Sequence, residues 1–188
     1  MEIILINGKK RSGKDFVAKK LREKLESGGK VVRVLSFADP IKEIMCKTFN
    51  ISLAELDDLK NNDINILING NEISFRQILQ NFGTEAMQSV FSKHIWVNKL
   101  TQRAYEKDCD YLIVPDFRFV HEDISPIKVK VINNSVKSED QHKSENDLNN
   151  YKFIHIIDNT GYKDITNQIE DLTYKVLNVG TDEEFMTV

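Results

Sequence analysis

Ile3-Ile4-Leu5-Ile6-Asn7-Gly8-Lys9-Lys10-Arg11-Ser12-Gly13-Lys14-Asp15 opens with an apolar run of strand length that breaks at Gly8. The frame Gly8-x-x-x-x-Gly13-Lys14 is that of a phosphate-binding loop. An amphipathic pattern resumes at once through Phe16, Val17, Leu21 and Leu25, which sets the glycines between a strand and the first turn of a helix. A phosphate needs several converging backbone N–H donors. Gly8 and Gly13 let the backbone curl close, and the following helix offers its free N–H groups and positive dipole end. Ser12 falls inside the loop, and Lys14 is expected to reach the β- and γ-phosphates. Where Ser or Thr normally offers a hydroxyl to Mg²⁺, Asp15 offers a carboxylate, a competent oxygen ligand directly or through water.

Outward from this loop, Ser27-Gly28-Gly29 stops the helix, and Val31 to Phe37 is β-rich and mostly apolar. Strand, helix, strand implies a right-handed βαβ unit in a parallel sheet. Asp39 is the expected N-cap of a helix with Pro40 at its first position and Ile41, Ile44, Met45 and Phe49 on one face. Ser52 and Glu55 have the spacing of a capping box for a short helix over 52–59. Asn69-Gly70, flanked by β-formers, predicts a hairpin over about 64–75. Helices are expected from Phe75 to about Val90 and from Ile95 to about Lys107, then strands over Tyr111 to Val114, Lys128 to Ile132 and Phe153 to Ile157, and a closing helix from Ile165 to Leu177. Asn133 to Asn150 is polar and without period, a loop long enough to be functional.

The 188 residues suit one domain, here 1–180 with a frayed tail over 181–188. Residues 39–107 form the expected helical substrate region. A net charge of -3 provides no basic field for a nucleic-acid polymer. Cys46 and Cys109 lack metal or redox spacing. No run approaches a membrane span, and the first apolar run leads into the glycine loop rather than a cleavage site, so a cytoplasmic location is expected. Oligomeric state is left open, with a homodimer the commonest soluble assembly.

In an open parallel sheet, ligands gather beyond the carboxyl ends of the strands. The residues to inspect there are the phosphate loop, Ser36 and Phe37 after the second strand, and Asp116, Arg118 and Glu122 after Tyr111–Val114. Asp116 reads as a holder of Mg²⁺ or its waters, as a pin for Arg118, or as a helix cap or surface turn. Arg76 suits a phosphate because a guanidinium engages two oxygens at once, and Gln80, one turn on, suits a base edge. Trp96 reads as core or as the wall of a substrate pocket.

Lys10-Arg11-Ser12-Gly13-Lys14-Asp15, Pro40-Ile41-Lys42, Arg76-x-x-x-Gln80-x-x-Gly83-Thr84, Trp96-Val97, Ile113-Val114-Pro115-Asp116-x-Arg118-x-x-His121-Glu122 and His142-x-x-Glu145 occur in this order. The series resembles the bacteriophage deoxynucleoside monophosphate (dNMP) kinase family over about residues 3–160, and the Gly-Lys-Asp loop ending is similar to that family's own. The resemblance implies an α/β P-loop kinase fold, a mostly parallel five-stranded sheet flanked by helices, with a hairpin excursion and a lid over about 133–150. It implies transfer of the ATP γ-phosphoryl group to a dNMP with Mg²⁺, in the host cytoplasm if the chain is phage-encoded. By position, Gly8, Arg11, Ser12, Gly13, Lys14, Asp15 and Phe16 hold ATP. Lys10, Ser36, Phe37, Arg76, Gln80, Gly83, Gln88, Trp96, Asp116, Arg118 and Glu122 line the monophosphate site. Lys10, Arg11, Lys14 and Arg118 neutralise the transferring group, Asp15 and Asp116 are the metal candidates, and Lys137, His142, Lys143 and Glu145 belong to the lid. Gln88 stands where similar sequences place arginine, Phe16 where threonine is common, and the lid segment has no arginine. The alternatives are a P-loop kinase of another small acceptor, such as a sugar or coenzyme precursor, and a non-catalytic nucleotide-binding module.

Overall fold

A computed structural model describes residues 1–136 and 142–178. Lys137 and the 181–188 tail lie outside the described residues. The chain runs β1 (Glu2–Gly8), α1 (Lys14–Ser27), β2 (Val32–Val34), α2 (Asp39–Phe49), α3 (Leu53–Asn61), β3 (Asn65–Ile68), β4 (Asn71–Ser74), α4 (Phe75–Gln80), a π-helical segment (Asn81–Gln88), α5 (Ile95–Ala104), β5 (Tyr111–Val114), β6 (Ile127–Ile132), α6 (Lys143–Asn146), β7 (His155–Asp158) and α7 (Thr166–Leu177). Five strands form one parallel sheet in the order β2-β5-β1-β6-β7, and β3 and β4 form a separate antiparallel hairpin. The fold is thus the expected α/β, P-loop-kinase-like architecture. No helix of the described residues is long and apolar enough to cross a membrane.

Strand alternation divides the core. Ile4 and Ile6 face one side with Val17, Leu21 and Leu25 of α1 and Ile169, Leu172 and Val176 of α7. Leu5, Leu112 and Val114 face the other with Ile41, Trp96, Leu100 and Phe117. Central β1 pairs with β5 and β6 in a shared register, Ile4 opposite both Ile113 and Ile127, so its carboxyl end at Gly8 is delivered between two neighbours.

Several elements differ from expectation. Phe16 does not join the α1 core face; it is 48% exposed, with the Lys20 ammonium 5.8 Å from its ring. Ile44 is likewise exposed. Asp39 does not cap α2 but is its first residue: Ala38 occupies the cap, and the Asp39 carboxylate instead accepts from Ser36 N at 2.8 Å. The helix expected over 75–90 is α-helical only to Gln80 and then widens into the π-helical segment. The strand expected from Phe153 begins at His155, because Phe153 is drawn into an aromatic group with Phe117 and Tyr151, at centroid distances of 6.2 and 5.0 Å. The capping box at Ser52–Glu55 and the Asn69-Gly70 hairpin form as the sequence predicts, with positive φ of 51° and 80° at the two turn residues.

Candidate active site

The phosphate loop is built from two left-handed residues, Arg11 at φ 63° and Gly13 at φ 91°. Such alternation turns successive N–H groups toward one concavity. Gly13 caps α1 without any side-chain acceptor, so the first-turn donors have no side chain covering them from that residue. The loop is also clamped from outside. Asn159, 3% exposed just beyond β7, donates its Nδ2 to Ser12 O at 2.9 Å, and a Cβ on Gly13 would overlap that amide. Tyr162 O–H donates to Arg11 O at 3.3 Å. Asn7 Nδ2 donates to Phe117 O at 2.8 Å, tying the end of β1 to the chain leaving β5.

That chain carries three functional candidates. Asp116 is buried, and its two carboxylate oxygens accept from Phe37 N and Ala38 N, each at 2.9 Å. It therefore ties β5 to the loop after β2. Burial pushes its carboxyl up from the ordinary range, while the backbone donors and Arg118 oppose the shift. Arg118 makes its hydrogen-bonded ion pair with Glu145 of α6 rather than with Asp116, and Nη1 also donates to Ser144 O at 3.4 Å. Burial acts most strongly against the Arg118 charge, but the carboxylates of Glu145, Asp116 and Glu122 together outweigh it and the guanidinium is raised. Glu122, 2% exposed, accepts from Arg118 N at 2.7 Å and Phe119 N at 3.0 Å. Burial, reinforced by the nearby Asp116 charge, pushes its carboxyl up to about 8.

One cavity of about 200 Å³ brings most of the expected acceptor residues together: Ser36, Phe37, Arg76, Gln80, Gly83, Gln88, Trp96, Asp116, Arg118 and Glu122 all line it, with Lys14 and Asp15 of the phosphate loop. Lys10 does not line it. Its ammonium sits 2.8 Å from Asp63, and its backbone N–H donates to Glu145 at 3.1 Å. Trp96 is a core residue, 4% exposed, whose Nε1 donates to Gly83 O at 2.9 Å, and it also borders the cavity. A Cβ on Gly83 would stand 2.7 Å from Ile41 Cδ1, so glycine is what lets this helix approach α2.

Other candidates lie elsewhere. Gly8, Lys10 and Ser12 border a second cavity of about 280 Å³ toward Asn133, Ser144 and Glu145. Phe16 lines a groove of about 510 Å³ between α1 and α7, with Tyr162. Arg11 is exposed at the apex of the loop, and Lys143 is exposed on α6. His142 caps α6 by accepting from Ser144 N, and its Nε2 lies 3.7 Å from Glu85. Two cations that line the 200 Å³ cavity, Lys42 and Lys60, were not anticipated as site residues. They share Asp57 at 2.9 and 2.8 Å. Lys42 falls within the Pro40-Ile41-Lys42 signature, which could have flagged it, whereas Lys60 has no local signal. Nor does Asn159, whose position after a strand reads only as a turn.

A phosphate loop at the carboxyl end of a central strand, opening onto a cation-rich cavity, is the geometry of a phosphotransferase. A model of the phosphomevalonate kinase family matches residues 6–134. The chain belongs to that family. The matched span begins in β1 and takes in the phosphate loop, the lining of the 200 Å³ cavity through Glu122, and β6. Family membership makes the chain a kinase, an ATP-dependent phosphotransferase, as the loop implied. The match does not extend to the narrower expectation of a bacteriophage dNMP kinase. No curated protein matches the chain.

The donor set is suited to Mg²⁺ at one of its two expected positions. The Asp15 side chain is 80% exposed within the cavity lining, its carboxylate 3.6 Å from the Lys14 ammonium, and its open side can meet a hydrated cation. Asp116 already has both oxygens engaged by backbone donors.

Proposed function

We propose that this kinase transfers the γ-phosphoryl group of ATP to the phosphate of a deoxynucleoside 5′-monophosphate, giving a deoxynucleoside diphosphate and ADP. The observation that carries this reading is the single cavity in which Lys14 of the phosphate loop meets Arg76, Arg118, Lys42 and Lys60 together with the amides of Gln80 and Gln88. Cations suit a phosphorylated acceptor, amides suit a base edge, and the apolar walls from Phe37, Leu79 and Trp96 suit a flat ring. Glu122 fits the same occupant. With its carboxyl pushed to about 8, it is protonated at neutral pH and presents no charge to a dianion.

An acceptor phosphate oxygen attacks the γ-phosphorus, and the bond to the β–γ bridging oxygen breaks with its electron pair leaving on ADP. That acceptor oxygen is already ionised, so the protein has no proton to remove; it positions the two phosphates and stabilises charge on the equatorial oxygens. Lys14 and Arg118, which both line the cavity, would do this. Asp15 would hold Mg²⁺, which when bound neutralises phosphate oxygens and orients them.

A second reading, phosphomevalonate as acceptor, is favoured by the family's name. Such a substrate carries a carboxylate besides its phosphate, and Lys42 and Lys60, sharing one aspartate, are the cations that would meet it. Coupled ADP release across dTMP, dGMP, dCMP, dAMP, UMP and phosphomevalonate, with ATP and Mg²⁺, separates the two. Turnover of at least one dNMP is expected, lost in Lys14→Met while the unfolding midpoint is kept. Turnover with phosphomevalonate alone would replace the first reading by the second. ATP binding without ADP release on any of these acceptors would overturn both readings and point to a kinase of another small acceptor.

A further inference from the structure

Asp63 belongs to no expected site, yet it holds two cations that do. Its carboxylate takes the Lys10 ammonium on both oxygens at 2.8 Å, and Arg76 Nε approaches Oδ1 at 3.4 Å. Lys10 comes from the phosphate loop and Arg76 from α4, so one carboxylate oxygen bridges a loop cation that stands outside the 200 Å³ cavity to an arginine that lines it. Two like charges brought this close require an anion between them. Asp63 itself sits at φ 50° in the connection from α3 to the hairpin, with its side chain 47% exposed. It is not built into a core and has solvent to turn into. The Lys10 hydrogen bonds hold its carboxyl below the usual range, so it is charged at neutral pH.

We infer that the Asp63 carboxylate is an internal stand-in for the acceptor's phosphate: it keeps Lys10 and Arg76 converged while the acceptor site is empty and gives way when a phosphomonoester arrives. This rests on reading the cavity as the site of a phosphorylated acceptor. Asp63 is then a positioning residue that acts through Lys10 and Arg76. Its presence lowers acceptor affinity, because the phosphate must displace a carboxylate, and in exchange the two cations do not scatter.

The test is Asp63→Asn, with Asp63→Glu as the charge-retaining control. Asn is among the residues that best accept left-handed backbone, and Asp63→Gly, equally suited to positive φ, makes the same measurement if the Asn variant folds poorly. Inorganic phosphate is titrated calorimetrically into each protein at low and high salt, and acceptor KM and kcat are measured beside it. Asp63→Asn is expected to bind phosphate and acceptor about two- to fivefold more tightly at low salt, the size of one partly exposed ion pair. Its kcat is not raised, Asp63→Glu stays near wild type, and the difference shrinks at high salt. Unchanged or weaker phosphate binding in Asp63→Asn overturns the inference. The phosphate titration uses no nucleotide, so the two proposals fail separately: tighter phosphate without dNMP turnover removes the dNMP reading alone, and dNMP turnover without tighter phosphate removes the role of Asp63 alone.

Discussion

Gly13 is constrained from two directions. Its φ of 91° is one that a side chain disfavours, and the Asn159 amide occupies the space a Cβ would need. Gly13→Ala is therefore expected to cost about 2–3 kcal/mol, combining the left-handed penalty with loss of the Asn159 to Ser12 hydrogen bond. Displacing the loop by about an ångström should lower ATP turnover about a hundredfold. Urea unfolding and ADP release check the two effects, and an alanine variant matching wild type in both would refute the clamp. The glycine is legible in the sequence, because its spacing to Gly8 and Lys14 is local. Asn159 is not, because its partner is 147 residues away and nothing about an asparagine after a strand tells what it will touch. Asp63 escapes for the same reason: its importance comes from Lys10, which is 53 residues away.

Among the elements, those specified by adjacent residues were readable and those adjusted by tertiary contact were not. The Asn69-Gly70 turn and the Ser52–Glu55 box are local chemistry and formed as written. The widening of α4 after Gln80 comes from outside the helix, where Gly83 must approach Ile41 while its carbonyl is taken by Trp96. Hydrophobic spacing over 75–90 cannot distinguish an α-helix from one locally widened. Such segments recur at functional sites, and this one carries Gly83 and Gln88 to the cavity. Trp96→Phe leaves the Gly83 carbonyl without its Nε1 donor and should destabilise by about 2 kcal/mol. Because the wall moves and the phosphate loop does not, acceptor KM should rise severalfold while ATP KM holds. Equal changes in both would mean that Trp96 supports the fold and not the cavity.

For the whole molecule, the parallel sheet was legible from apolar runs separated by helical patterns, and strand order places the loop and Asp116 at one edge, where β1 and β5 end side by side. The electrostatics of that edge were not legible, since they depend on burial. Glu122 is the clearest case, and its sign can be worked out. Its carboxyl lies at about 8 in the folded chain against an ordinary 4.5, so the folded state holds the proton more tightly. The resulting stabilisation is complete below about pH 4.5 and is lost as pH rises through 8. Glu122→Gln, neutral throughout, should match wild type near pH 5, gain on it by about 1 kcal/mol or more by pH 9, and retain turnover at neutral pH. Unfolding free energies measured from pH 5 to 9 decide this, and parallel curves for the two proteins would contradict a protonated Glu122.

The strand order also has a consequence for biosynthesis. The first two strands of the chain are not neighbours: β5 lies between them, and β1's other neighbour is β6. A ribosome delivering this chain from its amino end therefore releases the phosphate loop long before any strand exists to pair with it. While α2 to α5 emerge, the apolar residues Ile4, Leu5 and Ile6 have no sheet to join. Only when Tyr111–Val114 appears does one strand link β1 to β2 at once. Until β5 has left the tunnel, the nucleotide loop hangs from a strand that has no pairing partner, so its ordering is expected to wait for the fifth strand.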